Sequence, residues 1–204
     1  MMKIIINRLC GFFVMNELLK IIKDNMIIRR FILMNSFDGA LTSLGLIIAM
    51  HSTGIFDVKL ILVSSIGVIF ATGISGFWGG YLVEKAERKH ELSEIKKIHP
   101  KEDLAGRKNE FKKITLLVAL ANSFGSTITG LVTVSPFFLA ALKIISISEA
   151  YNFSFILVAL ILITIGGATA IIARESRLLH AATAVLAGLM VGLIVYLFEL
   201  LKFA

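Results

Sequence analysis

Asp38 is the residue whose type and position most demand a chemical reason. It stands in Asn35-Ser36-Phe37-Asp38-Gly39-Ala40-Leu41-Thr42-Ser43, near the start of an apolar run that continues to His51. A carboxylate inside a membrane costs about 2.5–3.5 kcal/mol or more unless it faces other helices, water or a cation. Gly39 removes the adjacent side chain, and Asn35, Thr42 and Ser43 place oxygen donors about one helical turn to either side. An oxygen-rich face with one formal charge suits a hard or borderline divalent cation in transit. The competing structural reading is that Asp38-Gly39 forms a turn capping the end of a span.

A second constellation follows the next apolar run. Glu84, Glu87, Glu91 and Glu94 are spaced three, four and three apart, so they share one helical face, and His90 lies beside them. A row of hard oxygen ligands with one imidazole could collect cations. Taken alone, the spacing reads better as a solvated helix with local ion pairs such as Glu84 to Arg88. His51 and His180 stand at span ends with no spaced partner for a metal site, and Met34, Met50 and Met190 read as packing residues. The single cysteine, Cys10, excludes an intramolecular disulfide and a cysteine metal cage. No GxxxxGK[ST] loop, HExxH, paired CxxC or GxSxG elbow is present, so the expectation is a protein that is not an enzyme and does not hydrolyse ATP.

The elements that must position these residues are set by composition. Of the 204 residues 57% are hydrophobic and 17% charged, more apolar surface than a soluble domain of this size can cover. Five apolar runs reach spanning length, at 33–52, 58–83, 114–142, 151–173 and 178–201. The predicted fold is therefore an all-α integral membrane protein with five transmembrane helices and a short cytoplasmic helical insert between the second and third. Its segments are an N-terminal amphipathic, interfacial stretch (1–31), the first two spans (32–83), the charged insert (84–113) and the last three spans (114–204). The expected surroundings are a lipid bilayer. The net charge of +7 is distributed between apolar runs and not as a basic patch interleaved with aromatics, so no nucleic-acid partner is expected.

Lys and Arg counts orient the spans. Six precede the first span, ten fall in 84–113, and Arg174 and Arg177 separate the fourth and fifth, so 18 of 21 share one side. Lys59, Lys143 and Lys202 take the other. The bias predicts a multi-pass protein of the cell membrane with its N-terminus cytoplasmic and its C-terminus outside. A weak internal repeat runs through the spans: Asn35-Ser36-Phe37 recurs as Asn122-Ser123-Phe124, and Gly79-Gly80 recurs at the same offset as Gly166-Gly167.

Three segments resemble the vacuolar iron transporter family, and the chain would be a short member of it. FDGALTSLGLIIA resembles the Asp-Gly-Leu-Thr opening of the family's first span, with Asp38, Gly39 and Thr42 in matching places. ATGISGFWGGYLVEKAERKH is similar to its second span and charged exit, matching at Ile74, Ser75, Gly79, Gly80, Tyr81, Leu82, Lys85, Glu87 and His90. GLVTVSPFFLA resembles its proline-containing segment, with Pro136 matching. The resemblance implies a homodimer that moves Fe2+ or Mn2+ out of the cytosol by proton exchange, with metal ions and protons as its partners and no permanently bound cofactor. It further implies that Asp38 lines the path near a two-fold axis and that the glutamate-bearing helix gathers metal. Two positions depart from the family pattern. Gly76 stands where the family has a metal-lining methionine, and Val68 where it has a carboxylate, which removes a soft donor and a charge. The alternative is a non-transporting membrane scaffold, in which Gly73, Gly76, Gly79 and Gly80 serve helix packing alone.

The charge bias yields the first testable expectation. A cysteine introduced at Ser93 should be labelled by a membrane-impermeant maleimide only after the membrane is opened; labelling in sealed cells would invert the topology.

Overall fold

The computed structural model describes residues 26–98 and 105–201. Every described element is a helix: α1 (Met26–Ser52), α2 (Val58–Ile98), α3 (Ala105–Ala141), α4 (Ile147–Ala173) and α5 (Arg177–Leu200). All five are long and apolar enough to cross a membrane. The interfacial stretch expected at 1–31 lies outside the described residues up to residue 25, and its remainder, 26–31, forms the first turns of α1.

Short connections force successive helices to alternate in direction. Asp57 opens α2 by accepting from the backbone N–H groups of Lys59 at 2.8 Å and Leu60 at 3.3 Å. Gly54 turns the chain before it at φ 71°, a left-handed conformation that favours glycine. At α4 a capping box joins the Ser146 hydroxyl to the Glu149 N–H and the Glu149 carboxylate to the Ser146 N–H. Arg174, left-handed at φ 57°, ends that helix.

Helix length settles the nature of the insert. At about 1.5 Å per residue, α2 with its 41 residues is roughly 60 Å long, about twice the hydrocarbon thickness of a bilayer. The 37-residue α3 is nearly as long. The stretch 84–113 is helical wherever it is described: α2 runs on beyond its span to Ile98 and α3 begins before its own at Ala105, making a two-helix stalk. Arg88 of α2 lies 5.2 Å over the Phe111 ring of α3, which ties the two together. Residues 99–104 lie outside the described residues.

Within the bundle α1 is central. It contributes to all three buried clusters: Ile47 and Met50 with Ile61, Val134, Phe137 and Tyr151; Ala40 and Leu44 with Val158, Leu162 and Ala184; and Ile28 with Val118 and Ala121. At the end away from the stalk, the Tyr151 hydroxyl donates to the Ile55 carbonyl at 2.6 Å, and His51 meets the Tyr151 ring edge-on at 4.8 Å. His51 is thus part of an aromatic cluster. Pro136 interrupts the backbone bonding of α3, and the Ser135 hydroxyl takes up the freed Val132 carbonyl at 2.7 Å.

Lipid tails are as apolar as leucine, so membrane helices associate through close packing and interhelical hydrogen bonds. The crossing of α1 and α3 uses both. A Cβ at Gly39 would collide with the Ser126 carbonyl and the Thr129 hydroxyl, and one at Gly125 would come within 2.7 Å of the Ile32 carbonyl. The Thr129 hydroxyl reaches the Ser36 carbonyl at 3.0 Å. Gly79, by contrast, has nothing within 4 Å of its Cβ position. Gly39→Leu should therefore wedge α1 from α3 at a cost of about 3 kcal/mol or more, and Gly79→Leu should be tolerated. Thermal unfolding and gel filtration of both variants in one detergent will test this, and an unperturbed Gly39→Leu protein would refute the crossing.

Candidate functional site

Asp38 lies well inside α1 and flanked by continuous helix, so it caps nothing. Its side chain is exposed, on a groove of 540 Å³ between α1 and α2. Asn35, Thr42, Thr72, Ser75 and Ser126 line the same groove, and Gly76 forms part of its floor. Of the residues expected around Asp38, Asn35 and Thr42 thus stand with it. Ser43 does not: it is buried at 2% exposure, and its hydroxyl lies 3.1 Å from the position a Cβ would take on Gly130. It packs in the α1/α3 crossing.

The sequence pattern around Asp38 missed Thr72 and Ser126. Thr72 and Ser75 are three apart on α2, and their spacing alone would have put both on one face. The Thr72 hydroxyl donates to the Val68 carbonyl at 3.0 Å and the Ile69 carbonyl at 2.9 Å. Its proton is thereby held by its own helix, and its oxygen lone pairs remain to accept from, or ligate, whatever enters the groove.

One polar chain fixes the three helices that frame the site. Asn35 Nδ2 donates to the Phe31 carbonyl at 2.9 Å and to Asn122 Oδ1 on α3. Asn122 Nδ2 in turn donates to the Gly76 carbonyl on α2 at 2.8 Å. Both asparagines are buried. They are the two equivalent residues of the sequence repeat, 87 positions apart. Gly76, where the family pattern has methionine, meets α3 closely: a Cβ there would lie 3.2 Å from the Asn122 carbonyl. The groove is consequently lined by oxygen and not sulfur.

The glutamates of the stalk are largely engaged. Glu84, at 5% exposure, pairs with Arg88 at 2.7 Å, and Arg88 also holds Glu91 at 2.8 Å. Glu94 pairs with Lys97 at 2.6 Å. Burial pulls the Arg88 guanidinium down, but hydrogen bonding and charge from Glu84, then from Glu91, outweigh it and hold Arg88 above its ordinary value. Glu87 and His90, three residues apart and both exposed, are the members of the row with no side-chain partner among the described residues. Among the described residues no three His, Cys, Asp or Glu side chains converge as a metal cage.

His180 is placed by other contacts. Its Nε2 lies 2.8 Å from Glu175 Oε2 and its Nδ1 3.4 Å from the Thr169 hydroxyl, beside a second and larger groove. Gly166 lets α5 approach here, since a Cβ would come within 2.6 Å of the His180 carbonyl.

Compared with known proteins, the chain matches no family model and no curated relative.

The Arg88 pairings make a differential prediction. Glu84→Gln leaves a half-buried guanidinium short of its main partner and should cost about 1–3 kcal/mol. Glu94→Gln removes an exposed pair and should change stability by less than about 0.5 kcal/mol. Equal melting shifts for the two would show that Arg88 does not staple the stalk.

Proposed function

We propose that the protein carries a divalent transition metal, Fe2+ or Mn2+, out of the cytosol in exchange for protons. One observation carries the reading: an exposed carboxylate, Asp38, within a spanning helix, on a groove lined by hydroxyls of two neighbouring helices and by Asn35 and Thr42 of its own. A carboxylate on that surface is costly toward lipid and favourable toward a hydrated or partly dehydrated cation. Oxygen donors with one charge and no thiolate or thioether suit Mn2+ and Fe2+ better than softer ions. Proton exchange follows from the same group, because a carboxylate that releases the metal on the far side can return protonated and neutral.

A single chain supplies one charge, half of what a divalent ion needs for neutrality. In the proposed homodimer a second copy would cover the α1/α2 groove and bring a second Asp38 to it. On α2, Ile74, Trp78 and Leu82, four apart on one stripe, are all more than half exposed. With the stalk in the cytoplasm of a cell-membrane protein, the orientation the Lys and Arg bias predicts, Asp38 would lie toward the cytoplasmic end of its helix, and Glu87 and His90 would meet metal before it.

The scaffold alternative drew on the glycines of α2. Gly73 and Gly80 are consumed inside the chain, against Thr127 and Asn122 of α3, and so is Gly76. That packing is common to both readings, and what favours transport is the exposure of Asp38 on an open groove, which a packing scaffold does not need.

Asp38→Asn removes the charge at nearly constant volume. In proteoliposomes it should abolish Mn2+ and Fe2+ uptake and the accompanying proton flux while leaving the melting temperature in detergent within a few degrees of the parent. Full uptake by this variant would sink the proposal.

A further inference from the structure

A second groove is larger than the polar one beside Asp38. It has a volume of 860 Å³ and runs between α1, α4 and α5 at the stalk end of the bundle. Along α1 it is lined by Arg29, Leu33 and Phe37, one residue per turn on one stripe, with Arg30, Met34 and Asp38 on the next. Ile165 and Ile172 of α4 form the opposite wall. The groove is thus cationic at its rim and has Leu33, Phe37, Ile165 and Ile172 along its length, with Asp38, Thr169, His180 and Thr183 as its other polar lining. Neither arginine has a hydrogen-bond or ion-pair partner among the described residues, although carboxylates elsewhere at this end, Glu84 and Glu175, are each paired with a basic side chain.

We infer that this groove binds an anionic phospholipid of the surrounding bilayer, its phosphate held by Arg29 and Arg30 and an acyl chain lying along Leu33, Phe37 and Ile165. Charge and polarity together select that occupant. Two guanidiniums lining one groove, each able to make bidentate, charge-assisted contacts, suit a phosphate. Basic pockets between spanning helices gather anionic headgroups, and each basic group near the surface contributes on the order of 1 kcal/mol. The apolar walls exclude a free phosphate, which would leave them facing water. Asp38 lies about 12 Å farther along α1 than Arg30, at 1.5 Å per residue. A phosphate therefore meets the arginines first and is kept at the rim by the carboxylate beyond. Asp38 borders both grooves. With lipid seated on one side, the carboxylate is open only toward the oxygen-lined side.

The test measures thermal unfolding of the full-length protein in a neutral detergent, with added phosphatidylglycerol, phosphatidylcholine of the same acyl chains, or glycerol 3-phosphate. Phosphatidylglycerol should raise the melting temperature by several degrees, and phosphatidylcholine and glycerol 3-phosphate by less than one. Arg29→Gln/Arg30→Gln should lose the difference between the two lipids. Thr183→Trp, which fills the groove from α5 and keeps both arginines, should lose it too, and native mass spectrometry should show a co-purified phospholipid on the parent and on neither variant. Equal stabilisation by both lipids would overturn the site, as would a preference surviving in Thr183→Trp, which would place the lipid elsewhere. Absence of any lipid effect on the parent would overturn the proposal outright.

Discussion

Everything in this bundle hangs on the close approach of α1 and α3. In water, two apolar helices would be pressed together by the solvent; in lipid that force is absent, and contact must be made attractive by shape and hydrogen bonding. Gly39 and Gly125 remove the side chains that would hold the backbones apart, and Thr129 and the Asn35–Asn122 pair bond across the gap. Asn122 then reaches α2 through the Gly76 carbonyl, so α2 is positioned relative to α1 by way of α3. On its other side, α1 presents Ala40 and Leu44 to α4 and α5, where Gly188 brings α5 close to Leu44 and Leu162.

That arrangement explains why a groove exists at Asp38. Because α3 holds both neighbours, α1 and α2 need not pack against each other at this level, and they diverge enough to leave 540 Å³ between them. Two of the hydroxyls facing the gap already have partners for their protons: Thr72 within its own helix, and Ser126 at the Ser123 carbonyl 3.2 Å away. They can remain in an apolar span without an unmet donor and still offer oxygen lone pairs. Preorganised oxygens around one carboxylate favour a cation without requiring the helices to move first.

Apolar run length made the five spans legible, and the abrupt start of charge after Tyr81 made the insert legible as a helical continuation of the second span. Its true form was harder to read, because nothing in 105–113 distinguishes a free loop helix from the first turns of α3; the unbroken run of α3 from Ala105 to Ala141 does so. Asp38, Asn35 and Thr42 could be grouped because they lie on one helix, where spacing translates directly into a face. Ser43 was misplaced by the same reasoning: one residue off Thr42, it is rotated about 100° into the α1/α3 crossing. Thr72 and Ser126 come from other helices, and no local period reports which helices meet. The repeat of Asn-Ser-Phe was visible as text, but its consequence, two equivalent asparagines bonded at the centre of the bundle, depends on α1 and α3 running side by side in parallel. His51 and His180, which looked alike as interfacial residues, separate once their neighbours are known: one sits against aromatic rings, the other against Glu175.

Asp38 occupies the seam between two unlike surfaces, and this position constrains what it can do. Toward α2 it faces hydroxyls and amides; toward α4 it faces Phe37, Ile165 and the apolar groove. A residue three positions earlier, Asn35, is buried and bonded, and one four positions later, Thr42, is exposed on the polar side. A carboxylate so placed has a stabilising environment on one side only, so protonation or cation binding must be matched by access from that side. Were the apolar groove left to water, the charge would be solvated from both sides and the difference between its bare and cation-bound forms would shrink. Filling that groove with hydrocarbon lowers the dielectric behind the carboxylate and strengthens its attraction for a cation in front of it. The chemistry proposed for Asp38 therefore depends as much on what closes the apolar face as on the oxygens that line the polar one.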